Sequence, residues 1–283
     1  MKKALNILRH VVQVSVLMLF MLPLAAQAAG GIVPGAGSFF GTLASSTILQ
    51  QIVLADPFAA LQVLVASKEL LAPVLLTGAA LVLLLYGLLR ARIFCGWVCP
   101  VGLLLELVDW IALKFGKKAV EKTVLDRHVK CAVAGCMLLL SALVGVPVFE
   151  LLSPIGALSR ALALGVTTGL GLLAAIVVVE AFLPGRLWCQ SLCPLGGFYE
   201  LFGRLGLLRI RADAGCTACG SCKRVCLADP QILDPVIQGT AQAVCAGDCM
   251  LCGRCIAVCP QQILHVSLRA KCDTDAPPAT SNG

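Results

Sequence analysis

Residues 92–100 read R-I-F-C-G-W-V-C-P, and residues 186–194 read R-L-W-C-Q-S-L-C-P. Each closes a long apolar run. A shift of 94 residues carries Arg92 onto Arg186, Cys95 onto Cys189, Cys99 onto Cys193 and Pro100 onto Pro194. The same shift carries Gly102 onto Gly196, Glu106 onto Glu200 and Leu107 onto Leu201. Upstream, D-P-F-A-A-L at 56–61 resembles S-P-I-G-A-L at 153–158, at a slightly different offset. Self-similarity of this kind marks a duplicated unit. Each copy reads as a loop, an apolar helix, a C-x-x-x-C-P turn and a short amphipathic helix.

The composition sets the expected class. Of 283 residues, 59% are hydrophobic and only 13% charged, against roughly a quarter charged in an ordinary soluble domain. Four runs, about 10–29, 72–90, 131–151 and 165–184, approach the ~20 apolar residues that cross ~30 Å of hydrocarbon. Basic residues gather at the N-terminus (Lys2, Lys3, Arg9), between 90 and 130, and after the fourth run (Arg186, Arg204, Arg209, Arg211). The other two connections hold Lys68 and Arg160. Basic loops stay on the cytoplasmic side. The expectation is therefore a multi-pass protein of the bacterial inner membrane, with four transmembrane helices in two repeated pairs over 1–205 and both termini cytoplasmic. The first run has a rival reading, a signal peptide ending at A-Q-A, 26–28. Trp97, Trp110 and Trp188 read as an aromatic belt at the inner boundary.

A second repeat, at an offset of 33, occupies the C-terminal region. Cys216, Cys219, Cys222 and Cys226 map onto Cys249, Cys252, Cys255 and Cys259. C-x2-C-x2-C-x3-C twice over is the bacterial ferredoxin spacing for two [4Fe–4S] clusters, in which the fourth cysteine of each run serves the other cluster. Cluster one then takes Cys216, Cys219, Cys222 and Cys259; cluster two takes Cys249, Cys252, Cys255 and Cys226. Three closely spaced thiolates wrap one cubane, and the fourth locks the two halves together. Zinc sites use two C-x2-C knuckles and need no third cysteine two residues on. One departure stands out: Pro260 follows Cys259, but Leu227 follows Cys226. Residues 206–271 thus read as an α+β two-cluster ferredoxin-like domain, and 272–283 as a disordered tail.

For Cys95, Cys99, Cys189 and Cys193 three readings stay open. The four thiols hold an additional metal or iron–sulfur centre, relay electrons as redox-active thiols, or only shape a docking surface. Ionisable residues at membrane depth are functional candidates. Glu150 and Asp56 at the outer boundary, and Glu180 and His128 at the inner one, are candidates for taking up the protons that quinol oxidation releases.

Taken together, the D-P-F-A-A-L-Q stretch, both C-x-x-x-C-P turns and D-C-M-L-C-G-R-C-I-A-V-C-P resemble the NapH/MauN family of membrane-bound ferredoxin-type proteins, over about residues 10–270. The resemblance implies an electron-transfer component of a quinol dehydrogenase rather than a stand-alone enzyme. It implies electrons drawn from the quinone pool, a partner iron–sulfur protein, and delivery toward a periplasmic redox enzyme, in nitrate reduction or in methylamine utilisation. An electron-supplying maturation factor for a periplasmic metalloenzyme is the alternative. Membrane lipid is an expected partner and nucleic acid is not.

Overall fold

The computed structural model describes residues 2–28, 39–41, 45–48, 52–68, 73–115, 125–126, 128–164, 169–183 and 186–268. The 272–283 tail lies outside them. Helix α1 spans Lys2–Ala28. Strands β1 (Phe39–Gly41), β2 (Ser45–Ile48) and β3 (Ile52–Ala55) form a small antiparallel sheet in that order. Helices α2 (Pro57–Ser67), α3 (Pro73–Leu89), α4 (Ile93–Trp97) and α5 (Pro100–Lys114) complete the first copy of the duplicated unit. The second copy supplies α6 (Val129–Val144), α7 (Val148–Leu152), α8 (Pro154–Leu164), α9 (Leu170–Phe182), a π-helical turn at Trp188–Leu192 and α10 (Pro194–Gly203).

The repeated sequence signs build repeated local structure. Asp56 caps α2 by accepting the Phe58 N–H at 3.3 Å, with Pro57 at the first helical position. Ser153 caps α8 by accepting the Gly156 N–H at 3.1 Å, with Pro154 in the same place. A short polar cap followed by proline is a standard helix start. The cysteine turns also match. Cys99 N–H bonds Phe94 O at 3.0 Å and Cys193 N–H bonds Trp188 O at 2.8 Å, both wide five-residue turns. The copies are interleaved: α1 packs on α8, and α6 packs on α2. Their shared core holds Phe58, Phe94, Phe149, Phe198 and Tyr199 together with Cys99 and Cys193. Phe58 meets Phe149 at 5.7 Å and Phe198 at 5.4 Å between ring centroids.

The C-terminal region has its own core. Strands β4 (Leu208–Ala212) and β5 (Leu264–Leu268) pair antiparallel with Ile210 opposite Val266. Between them come α11 (Ser221–Arg224), a 3-10 turn at Pro230–Leu233, α12 (Asp234–Ile237) and α13 (Arg254–Val258). Ile210, Leu233, Val244, Met250, Leu251 and Leu264 are buried together there.

The four-span membrane architecture is overturned. Among the described residues, no helix is long and apolar enough to cross a membrane. The runs expected at 72–90, 131–151 and 165–184 become helices of 17, 16 and 13 residues. At ~1.5 Å per residue, even the longest of these three falls short of ~30 Å. The apolar runs overcount helix because they include its ends. Gly145, at φ 77°, stops α6 and leaves Val148–Leu152 as a separate helix. Gly169, at φ 91°, starts α9 late. The longer α1 carries Arg9 and Gln13, both buried and bonded to Gly96 O. The sidedness argument falls with it, and so does the inner-membrane, multi-pass placement. Arg9, Arg90, Arg92, Lys130 and Arg186 were counted as loop charges, yet all are buried in the protein.

Close backbone crossings hold the elements together. A Cβ on Gly203 would collide with Gly247 O, across the two regions, and one on Gly197 with Lys130 O, between α10 and α6. Gly203→Ala is expected to destabilise the fold by about 1–3 kcal/mol, because backbone cannot yield as a side chain can. Gly135, inside α6 with nothing within 4 Å of an added Cβ, is the contrast. Gly135→Ala is expected to stabilise by about 0.5–1 kcal/mol. Urea midpoints of the two variants against the parent check both signs.

Candidate functional site

The two C-terminal cysteine runs wrap in the same way. Ala218 and Leu251, one before the second cysteine of each run, hold φ near 50°, and Gly220 and Gly253 follow at φ 69° and 73°. Alternating left-handed residues turn successive backbone N–H groups inward, which makes a concavity suited to an anionic group such as an iron–sulfur cluster. Leu251 accepts the strained backbone because its side chain is buried in the core.

Two cavities result. One, of about 470 Å³, is lined by Cys216, Cys219, Cys222 and Cys259. The other, of about 380 Å³, is lined by Cys226, Cys249, Cys252 and Cys255. The fourth cysteine of each run thus lines the cavity of the other. Among the described residues, no group of three His, Cys, Asp or Glu side chains is gathered tightly enough for a single metal ion. A [4Fe–4S] cubane is gripped at separate iron corners, one thiolate to each, which four cysteines around one cavity can supply. The first cavity is the outer one, with Cys216 and Cys219 exposed; Cys249 in the second is buried.

Cys95, Cys99, Cys189 and Cys193 also converge. Burial pushes the Cys193 thiol up to about 12, helped by the nearby Cys95. Burial likewise raises Cys99, with Cys95, Cys189 and Cys193 adding to it. The four side chains pack in one core cluster, with Cys99 and Cys193 buried and Cys95 and Cys189 partly so, drawn equally from both copies. The backbone N–H groups of Gly102 and Gly196 face the Cys99 and Cys193 sulfurs, as caps of α5 and α10 would receive them.

This thiol region lies against the inner cavity. An added Cβ on Gly96 would sit 2.9 Å from Met250 O. Trp97 Nε1 donates to Leu251 O at 3.1 Å, so this indole is a structural tie rather than a belt residue. Arg90 donates to Cys249 O at 3.2 Å, Leu208 O at 3.1 Å and Val244 O at 3.2 Å, and also to Ala246 O. Arg92 Nη1 meets Asp248 Oδ1 at 2.5 Å, and Arg92 Nη2 donates to Cys189 O at 2.9 Å. Lys130 also binds Asp248 and reaches Glu200 at 3.2 Å. One buried carboxylate, next to Cys249, thus gathers cations from both copies. Sequence reasoning marked Arg92 only as a repeated position and did not mark Asp248 at all. The signal was the recurrence of Arg92 as Arg186, which instead pairs with Asp109 at 2.6 Å.

The candidate proton-handling residues separate. Glu180 is buried and accepts the Trp188 N–H at 2.6 Å, which fixes the second cysteine turn. His128 is more than half exposed and lies 3.9 Å from Glu200. Glu150 lines a small cavity with Asp56. The repeated Glu106 pairs with Arg9 at 2.6 Å. Burial raises its pKa, but Arg9, Arg254 and Arg186 outweigh this and hold the carboxyl at about 2, below the usual 4.5. Its folded pKa is depressed, so its contribution to stability is present above about pH 4.5 and is lost as pH falls toward 2. Acid unfolding of Glu106→Gln is expected to be flatter across that window, as circular dichroism against pH would record.

A family model described as a 4Fe–4S binding domain matches residues 71–118 and 166–212, the two segments that carry the C-x-x-x-C-P turns. The chain is 35% identical to the methylamine utilization ferredoxin-type protein MauN of Methylorubrum extorquens, over 93% of this chain and 89% of that one. It is 32% identical to the ferredoxin-type protein NapH of Escherichia coli, over 81% and 80%. It is 37% identical to MauN of Methylobacillus flagellatus, over 72% and 71%. No solved structure matches it.

Proposed function

Because the chain belongs to the NapH/MauN family of ferredoxin-type iron–sulfur electron-transfer proteins, we propose that it acts as the electron-transfer component of a quinol dehydrogenase. It would hold two [4Fe–4S] clusters and pass electrons from quinol to a partner redox protein. Cys216, Cys219, Cys222 and Cys259 would hold one cluster, and Cys226, Cys249, Cys252 and Cys255 the other. A bound [4Fe–4S] cluster takes up and gives back single electrons at a potential set by hydrogen bonds, charge and solvent exposure.

The observation that carries the reading is the pair of cavities, each lined by four cysteines. The protein's own residues have three tasks. The inward N–H groups of the two loops stabilise thiolate charge. Arg90, Arg92 and Lys130 bring positive charge beside the Cys249 loop, which favours an added electron there. The Gly96–Met250 contact keeps the four-thiol region close to the inner cavity. The exposed side of Cys216 and Cys219 is where a partner iron–sulfur protein would dock. The four converging thiols keep the reading of an additional redox centre, which the match of a 4Fe–4S family model to their two segments supports.

The identity to the two methylamine-utilisation relatives favours a second reading, in which the partner belongs to a methylamine system. A quinone chase tests the main one. Protein reduced with dithionite, freed of excess reductant and mixed with quinone should lose its reduced-cluster EPR signal. Persistence of that signal in excess quinone would overturn it.

A further inference from the structure

Helix α1 brings a buried cation to the inner cysteine cavity. Leu5 and Arg9 lie one turn apart, on one face of α1. Leu5 covers the turn between the second and third cysteines of the inner run, where a Cβ on Gly253 would collide with its side chain. Cys252 and Gly253 line the inner cavity. Arg9 is only 1% exposed. Its Nη1 donates to Gly96 O at 3.4 Å, and Gln13 Nε2 donates to the same oxygen at 2.9 Å. Its Nη2 donates to Asn6 Oδ1 at 3.2 Å and pairs with Glu106 Oε1 at 2.6 Å. The same carboxylate oxygen has Arg254 at 3.7 Å and His10 at 3.2 Å. Arg9 Nε is buried and has no hydrogen-bond partner among the described residues. A guanidinium is costly to bury, and an N–H without an acceptor adds to that cost. Fixing α1 to the core does not call for a charge here, since Leu5 and Gln13 already do so.

The two copies act in parallel. Glu106 and Glu200 are equivalent in the repeat. Glu106 holds Arg9, one turn along α1 from the residue that covers Gly253. Glu200 holds Lys130 at 3.2 Å, and Lys130 also binds Asp248, next to Cys249. Each repeated glutamate thus anchors one buried cation toward the same cysteine run.

We propose that Arg9, held by Glu106, is a positioning residue of the inner site that raises the reduction potential of the cluster bound by Cys226, Cys249, Cys252 and Cys255. The inference rests on the two-cluster reading above and deepens it by naming what sets the potential of one cluster. One electron added at that site adds one negative charge, and a buried guanidinium nearby lowers the cost of that charge. Burial pushes the Cys252 thiol up, and the Arg254 N–H and the charges of Arg9 and Arg254 act against it. The Arg9 charge is therefore felt at one of the four cysteines. Glu106 holds Arg9 in place and offsets its charge, so the two side chains act on the potential with opposite signs. The cations at Cys249 are engaged differently: Arg90 binds backbone carbonyls, and Arg92 and Lys130 share Asp248.

Redox titration of the cluster-loaded protein at one fixed pH, followed by EPR, tests this. The signal that Cys252→Ala removes identifies the inner cluster. At a set potential, Arg9→Gln should lower the ratio of reduced to oxidised inner cluster about tenfold, a fall of about 59 mV for one electron. Arg9→Lys keeps the charge and should stay within about threefold of the parent. Glu106→Gln should raise the ratio about threefold or more. The double variant, Arg9→Gln with Glu106→Gln, should lie between the two singles. A role confined to holding α1 on the core would instead make both single substitutions shift the ratio the same way. That result overturns the proposal, as does an Arg9→Gln ratio within about twofold of the parent. Where Arg9→Gln loads no iron, the sign of Glu106→Gln decides: a rise supports the proposal, and a fall or no change overturns it. A parent from which Cys252→Ala removes no signal overturns the two-cluster reading as well.

Discussion

Asp248→Ala is expected to destabilise the protein by about 3–5 kcal/mol, the usual cost of leaving buried charge without its partner. Asp248 is fully buried and holds Arg92 at 2.5 Å and Lys130 on the same oxygen. Without it, two cations would face each other in the interior. Lys130 would keep Glu200 at 3.2 Å and the Gln190 carbonyl at 3.3 Å, and Arg92 would keep backbone carbonyls alone, those of Cys189 at 2.9 Å and of residue 248 at 3.4 Å. The damage should also be local in effect, because Asp248 adjoins Cys249 and its two partners stem from the two copies of the repeat. Chemical denaturation measures the loss, and iron content reports whether the inner site still loads. Asp248→Asn keeps the shape and some hydrogen bonding and should fall between the two. A loss below about 0.5 kcal/mol for Asp248→Ala, the level of an ordinary surface substitution, would contradict the buried network.

The second large effect concerns iron. Cys226→Ala is expected to lower iron by about four atoms per chain, by removing one ligand of one cubane. The crossed cavities make a sharper forecast from pairs of substitutions. Cys226→Ala with Cys252→Ala should cost no more iron than either alone, since both line one cavity. Cys226→Ala with Cys219→Ala should cost about twice as much iron as either alone, since they line different cavities. If each run instead bound its own cluster, the two pairs would exchange results. Iron assay and reduced-state EPR on the same samples decide between the patterns.

Much of the site was legible because its chemistry is local in sequence. Ligand loops need cysteines at fixed short spacings, and glycines such as Gly220 and Gly253 where the backbone turns left-handed. The helix starts at Asp56-Pro57 and Ser153-Pro154 were equally readable as a repeat. The membrane reading failed for a physical reason. Hydropathy measures how apolar a run is, not where its helix ends, and Gly145 and Gly169 cut the runs short. The basic residues misled in the same direction. A count of arginines cannot tell a solvated loop charge from one such as Arg90, which is spent on four backbone carbonyls.

The sequence by itself determined the duplicated unit, the family and the eight cysteines suited to iron–sulfur clusters, because spacing and repetition are properties of the chain. Only the tertiary structure decided which cysteine turn faces the inner cavity, that Asp248 binds both copies, and that Asp56 and Glu150 share one cavity. These are meetings between residues 94 to 156 positions apart in the chain. They depend on how interleaved helices pack, and no local pattern encodes that. The repeat is nearly symmetric in sequence, but one C-terminal region can dock on it only one way. That single docking breaks the symmetry and makes Arg92 and Arg186, alike in sequence, different in role.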